Sequence, residues 1–191
     1  MKKYQIIYAD PPWSYNDKGC TGNCEAQYKT MTIQDICSLP IKNITADNCV
    51  LFLWTTSPLL DEGIATINAW GFKYKTVAFC WSKHTKNEKP VSNLGRWTMG
   101  NVELCLLGVK GTPNSWRQDK SIKQLVWAER TKHSKKPDEV GRRIVKLLGD
   151  RPRIELFARE KTEGWDVWGN EVESDIILEK EEPKFYYGEE R

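Results

Sequence analysis

Hydrophobic positions along this chain gather into short apolar runs of strand length, separated by two stretches with helical spacing. Residues 4–9 ("YQIIYA") are apolar apart from one Gln and predict a buried strand. Residues 32–39 predict a short helix capped by Thr30 or Thr32. The run "CVLFLWTT" (49–56) has no polar interruption until its end, the pattern of a central strand. Pro58 opens a helical stretch with Leu60, Ile64 and Ile67 on one face, ending before Gly71. Residues 72–81 alternate as a strand with one polar face, and 102–111 make another strand and turn. Between them, 83–101 reads as a long loop, and 112–121 as a second one. Residues 123–130 predict a strand. Pro137 begins a helix with the stripe Val140, Ile144, Leu147 and Leu148, stopped by Gly149. Residues 153–159 ("RIELFAR") predict the final central strand, with 164–172 following it.

Strands alternating with helices imply one α/β sheet. With 191 residues and no repeats, the expected organisation is one domain over 1–175 and an acidic tail at 176–191. No apolar run approaches the ~20 residues that cross a bilayer. Two lysines running straight into a strand do not form a leader either, so a cytoplasmic protein without a membrane partner is expected. Cys37, Cys49, Cys80 and Cys105 lie in apolar surroundings and read as buried thiols. Cys20 and Cys24 have no second ligand pair at metal-site spacing, so no metal is expected.

Charge is unevenly spread. Residues 83–136 hold twelve Lys/Arg against four Asp/Glu, whereas 171–191 hold eight acids against three bases. The basic stretch suits a phosphate backbone or is an ordinary solvated surface; charge alone does not separate the two.

The chemistry centres on "ADPPW" (9–13). Two prolines stop a hydrogen-bonded strand, leaving Asp10 on a stiff turn at its carboxyl end, where α/β sheets form ligand crevices. No G-x-G-x-x-G occurs, so a nucleotide-like cofactor must be held in another way. An amine on a heteroaromatic ring is a poor nucleophile because its lone pair is delocalised. Acceptors for both its hydrogens return the lone pair to nitrogen. Asp10 supplies one acceptor and the Pro11 carbonyl the other, held by Pro12, while Trp13 or Tyr15 offers a face for stacking. The plainer alternative is that Asp10 caps a turn and Trp13 is core.

The motif, with "YKTM" (28–31), "LFLWTT" (51–56), "WSK" (81–83), "VELCLLGVKG" (102–111), "HSKKPDE" (133–139), "RIELFAR" and "GWDVWGNE" (164–171), resembles the MT-A70 family of S-adenosylmethionine-dependent adenine-N6 methyltransferases. The resemblance implies a single-domain, circularly permuted Rossmann-like class I methyltransferase with a mostly parallel central sheet. It implies that Asp10, Pro11, Pro12 and Trp13 are catalytic. It implies that Asp10, Lys136, Arg159, Lys161, Thr162, Asn170 and Glu171 hold S-adenosylmethionine, Glu171 standing where relatives often carry an amide. It places Tyr15, Tyr28, Lys83, Arg96, Trp97 and Glu103 at the target base. Trp54 and Trp81 are expected in the core.

Relatives commonly carry an acid-bearing segment ahead of the catalytic strand, which here begins near residue 4, so a different contact is expected to read the cofactor's adenine. The substrate implied is nucleic acid, DNA favoured and RNA possible, with a homodimer or partner subunit able to supply specificity. Transfer to cytosine N4 or a protein amide, and a nucleic-acid-binding subunit of weak activity, are the alternatives.

Overall fold

The computed structural model describes residues 2–14, 30–95, 97–131 and 135–178. The apolar run at the N-terminus forms β1 (Tyr4–Ala9), hydrogen-bonded in parallel to β2 (Thr45–Thr55) on one side and β6 (Arg153–Leu156) on the other. Outward from β2 come β4 (Val102–Lys110), β3 (Lys73–His84) and the edge strand β5 (Leu125–Glu129). Outside β6 lies β7 (Asp166–Trp168), giving the order β5-β3-β4-β2-β1-β6-β7. β4 runs against both its neighbours, and the other pairings are parallel. The expected mostly parallel α/β sheet is what forms.

Why β2 shows no polar alternation follows from its position. Cys49, Leu51 and Leu53 point into one core, and Val50, Phe52 and Trp54 into the other. A strand buried on both faces has no reason to alternate. The first core is closed by α1 (Ile33–Cys37) and α2 (Leu60–Ala69) through Ile36 and Ile67. The second is closed by α3 (Asp138–Leu148) through Val140, Ile144 and Leu148. Thr32 is the cap of α1, accepting the Asp35 N–H. Pro58 lies in a short 3-10 turn that leads into α2. Gly149 ends α3 at φ 82°, as the stop signal required.

"RIELFAR" holds the final central strand, β6, as expected, and β7 adds outside it at the sheet's edge, a strand the residues did not announce. Three residues flanked by Gly and Trp are too few to show a period of two. The stretch 83–101 is not wholly loop: β3 runs on to His84, and the chain then folds on itself through the His84/Pro90 and Asn93/Gly100 bridges. Cys49 and Cys105 are buried free thiols, with Cys49 pushed up to about 12 by burial. Cys37 and Cys80 are only half-buried, unlike the expectation for them. Ile176 and Leu178 pack back on the first core, so the chain stays on the domain to the end of the described residues. No helix among these residues is long and apolar enough to cross a membrane.

Candidate active site

β1 leads to β2 on one side, while its other neighbour β6 leads away to β7. The chain therefore leaves the carboxyl ends of β1 and β6 in opposite directions along the sheet, and such a switch point opens a crevice. Asp10 sits there, its N–H directed at the Leu156 carbonyl 3.4 Å away.

The turn after Asp10 is held from several directions. The Trp13 N–H donates to the Pro11 carbonyl at 2.9 Å, and the Met31 N–H to the Pro12 carbonyl at 2.8 Å. The Trp13 indole N–H donates to the Trp54 carbonyl at 3.0 Å. Trp13 is thus anchored edge-on to β2. The Pro11 carbonyl serves its own turn with one lone pair and keeps the second.

Lys136 comes from the other end of the chain, just ahead of α3. Its Nζ donates to Asp10 Oδ2 at 2.6 Å and lies 3.2 Å from Glu103 Oε2. Glu103 Oε1 is in turn paired with Lys83. Lys83, Glu103, Lys136 and Asp10 thus form a chain of alternating charge across β3, β4, the start of α3 and β1. Two indoles make its floor. Lys136 Nζ lies 5.5 Å over the Trp54 ring and Lys83 Nζ 5.0 Å over Trp81, with the rings edge-to-face at 6.3 Å. The Trp54 N–H donates to the Tyr8 hydroxyl at 2.7 Å, and the Trp81 N–H to the Ala128 carbonyl at 3.0 Å. Both indoles are buried, as expected, yet they also carry the lysines.

Burial sets the electrostatics, and the pairs modify it. Burial raises the Asp10 carboxyl above its ordinary range, opposed by Lys136 and, more weakly, by Arg159, while Glu103 adds to the rise. For Glu103, burial pushes the other way from Lys136 and Lys83, and the two lysines win, lowering it. Burial disfavours the Lys136 ammonium, but Asp10 and Glu103 outweigh that and raise its pKa. Lys136 is therefore firmly charged, and its side chain is only 12% exposed. A free surface lysine is excluded.

The second half of the crevice follows β6. Phe157 adopts φ 63°, a left-handed conformation costly for a ring-bearing residue. It turns the chain sharply after the strand, and its ring packs edge-on to Trp168 at 5.3 Å. The Ala158 N–H donates to the Trp168 carbonyl at 3.0 Å. A Cβ on Gly169 would stand 2.0 Å from the Ala158 oxygen, so only glycine permits this approach. The result sets Arg159 beside Asn170 and Glu171, with Arg159 Nε 3.7 Å from Glu171 Oε1. Lys135 latches this loop to α3, bonding Glu160 at 2.6 Å and Asp138 at 3.3 Å.

Of the residues singled out in the sequence, Asp10, Pro11, Pro12, Trp13, Lys83, Glu103 and Lys136 meet at one crevice. Arg159, Asn170 and Glu171 form its flank. Lys161 and Thr162 stand further along the same turn, exposed, with Lys161 3.4 Å from Asp175 and 3.6 Å from Glu173. Trp97 is 98% exposed on the 93–100 hairpin. Tyr15, Tyr28 and Arg96 lie outside the described residues, as do Cys20 and Cys24. Sequence reasoning missed Tyr8 and Glu155, both on the α3 side next to the crevice. An acid inside "RIELF" was the available signal for Glu155. Among the described residues no cluster of His, Cys, Asp and Glu is placed to hold a metal ion. Two hollows of about 370 and 530 Å³ lie at the amino ends of β1, β6 and β7, around Lys2 and Asp166. They share no residue with the crevice.

Comparison with known proteins points the same way. The family model described as MT-A70 matches residues 4–171. The type II methyltransferase M.MunI of Mycoplasma sp is 38% identical over 92% of this chain and 81% of its own. The N(6)-adenosine-methyltransferase catalytic subunit METTL3 of Homo sapiens is 30% identical over 94% of this chain, which spans only 30% of that protein. The MT-A70-like N(6)-adenosine-methyltransferase of Arabidopsis thaliana is 27% identical, with 24% of its length spanned. With that match over nearly its whole length, and the Asp-Pro-Pro-Trp turn seated at the sheet's switch point, the chain belongs to the MT-A70 family of adenine-N6 methyltransferases.

Proposed function

We propose that this protein transfers a methyl group from S-adenosylmethionine to N6 of adenine in nucleic acid, and that the nucleic acid is DNA. The observation that carries the reading is the Asp10 carboxylate, fixed on a proline turn in the crevice with one oxygen held by Lys136. The other oxygen and the second lone pair of the Pro11 carbonyl remain as acceptors for the two hydrogens of a flat amine. A carboxylate whose pKa burial has raised is the stronger acceptor.

The residues fit the cofactor. Lys136 brings an ammonium to the start of α3, whose first N–H groups have no side-chain cap, a place suited to a carboxylate. Arg159, Asn170 and Glu171 supply polar partners for a ribose and a base, with Lys161 and Thr162 further round the turn. When bound, the cofactor supplies an electrophilic methyl on a sulfonium. Asp10 orients the amine toward it and favours the pyramidal nitrogen. Trp13 and the Trp54–Trp81 floor keep the turn and Lys136 in place. Catalysis is then chiefly positioning and electrostatics. The intact turn and charge chain speak against a purely binding subunit.

The DNA preference is supported by identity and coverage. Identity, and the share of the relative's own length that is matched, are both higher for a type II methyltransferase than for relatives named for adenosine. Incubation with labelled cofactor and mixed DNA and RNA oligonucleotides, followed by nucleoside analysis, tests the reading. N6-methyldeoxyadenosine is the expected product; N4-methylcytosine, or label only in RNA, would overturn it. Asp10→Ala is expected to lower kcat by roughly 10²–10³-fold with the circular dichroism unchanged. Activity within a few-fold of wild type would remove Asp10 from the role given to it.

A further inference from the structure

We propose that the hairpin tip carrying Leu94, Trp97 and Met99 is a wedge that enters duplex DNA beside the target adenine and fills the gap left when that base swings out. The inference rests on the function proposed above and extends it to how the base is reached.

Among the described residues, large apolar side chains stand exposed at Leu125, Trp127 and Ile177 as well. The tip gathers the two most exposed, Leu94 at 94% and Trp97 at 98%, together with Met99 at 54%, whereas Trp54, Trp70 and Trp81 are at most 2% exposed. Three such side chains gathered on one six-residue tip are not scattered surface apolar residues. The tip is closed by reciprocal hydrogen bonds, Asn93 N–H to Gly100 O at 2.8 Å and Gly100 N–H to Asn93 O at 2.9 Å. It is also tightly turned, since a Cβ on Gly95 would stand 2.2 Å from the Thr98 oxygen. A preformed shape lowers the cost of ordering on binding.

Both legs of this hairpin are rooted in the active site. One leaves from Lys83, whose N–H bonds the Asn101 carbonyl at 3.1 Å, and the other returns into Glu103. The strands that carry the tip, β3 and β4, are therefore the ones that bring Lys83 and Glu103 to the crevice. Lys86 and Lys89 lie exposed on the adjoining turn with Glu88, and 85–100 holds three Lys/Arg against one acid. An apolar tip with a cationic collar matches bases flanked by phosphates. A buried amine cannot reach Asp10 without leaving its stack, which costs a few kcal/mol in a duplex. A side chain occupying the vacated place offsets that cost.

The test compares wild type, Trp97→Ala and Trp97→Phe on one methylated sequence in three forms: single strand, full duplex, and duplex with an abasic site opposite the target adenine. Trp97→Ala is expected to lose about 10- to 100-fold in kcat/KM on the duplex, the size of one aromatic stacking contact. Its loss on the two forms whose target is already unpaired should be at least tenfold smaller. Trp97→Phe should recover most of the duplex activity. A duplex with 2-aminopurine at the target should brighten with wild type and not with Trp97→Ala. Equal loss on all three forms, no loss on any, or a wild type that accepts only unpaired strands would overturn the wedge while leaving the methyltransferase reading standing. Loss of self-association in Trp97→Ala by light scattering, with duplex activity kept, would reassign the tip to a second copy. A wild type that methylates nothing and leaves 2-aminopurine dark would overturn both.

Discussion

Glu155→Gln should make the protein more stable at high pH and leave it unchanged at low pH. Glu155 stands opposite Tyr8 in the β1–β6 ladder, on the strand beside Asp10. Burial first, then the negative charges of Asp10, Glu160 and Asp138, push its carboxyl up from 4.5 to about 7, against a weaker opposing pull from Lys135. The native state therefore holds this proton to a higher pH than the unfolded chain does. Its contribution to stability is complete below 4.5 and is lost as pH rises through about 7. At about 1.4 kcal/mol per pH unit, the loss over that window is about 3 kcal/mol. Glutamine keeps the shape and cannot ionise, so the variant escapes the loss. Urea unfolding at pH 5, 6, 7 and 8 reads the difference directly. It should be small at pH 5 and reach about 3 kcal/mol in favour of the variant at pH 8. In an Asp10→Asn background the slope should flatten, because one of the charges opposing ionisation is gone. A difference that does not change with pH, or a variant less stable at pH 8, would refute the placement of Glu155 among these charges. The functional consequence is local: a Glu155 that keeps its proton near neutrality spares Asp10 a second like charge on the neighbouring strand.

Lys136→Met leaves Asp10 and Glu103 without their shared cation. Stability should fall by about 2–4 kcal/mol in urea, somewhat below the cost of breaking a fully buried pair because both partners keep some exposure. The acid limb of the rate profile should also move to higher pH as Asp10 loses its main counter-charge. A loss under ~1 kcal/mol with an unmoved profile counts against the charge chain. Lys83→Met leaves Glu103 with Lys136 alone and draws that lysine away from Asp10, so kcat should fall several-fold. Glu103→Gln added to it should restore part of the loss, and a double-mutant cycle with coupling under ~0.5 kcal/mol would show that the two ends of the chain act independently.

The local elements were legible in the residues because their causes are local. The unbroken apolar run of β2, the Pro58 and Pro137 helix starts, the Gly149 stop and the stiff proline turn at Asp10 each follow from side-chain and backbone chemistry within a few residues. Resemblance to a known family added the fold and the identities of site residues. Positions whose meaning depends on a distant neighbour were not legible. Lys136 meets Asp10 across 126 residues of sequence, and nothing near either marks the pair. Two of the cations in the basic stretch, Lys83 and Lys136, belong to the crevice and not to the surface, a distinction that composition does not carry. β7 escaped because three residues cannot show a period, and Glu155 because its pKa depends on burial and on charges brought from the Asp10 turn, the Glu160 loop and α3. Sequence alone determined most of the strands, turns and helices, since those preferences are settled by neighbours along the chain. Tertiary structure alone decided which charges share a counter-ion and which tryptophan stands in water, since Coulomb energy and burial depend on distances through space.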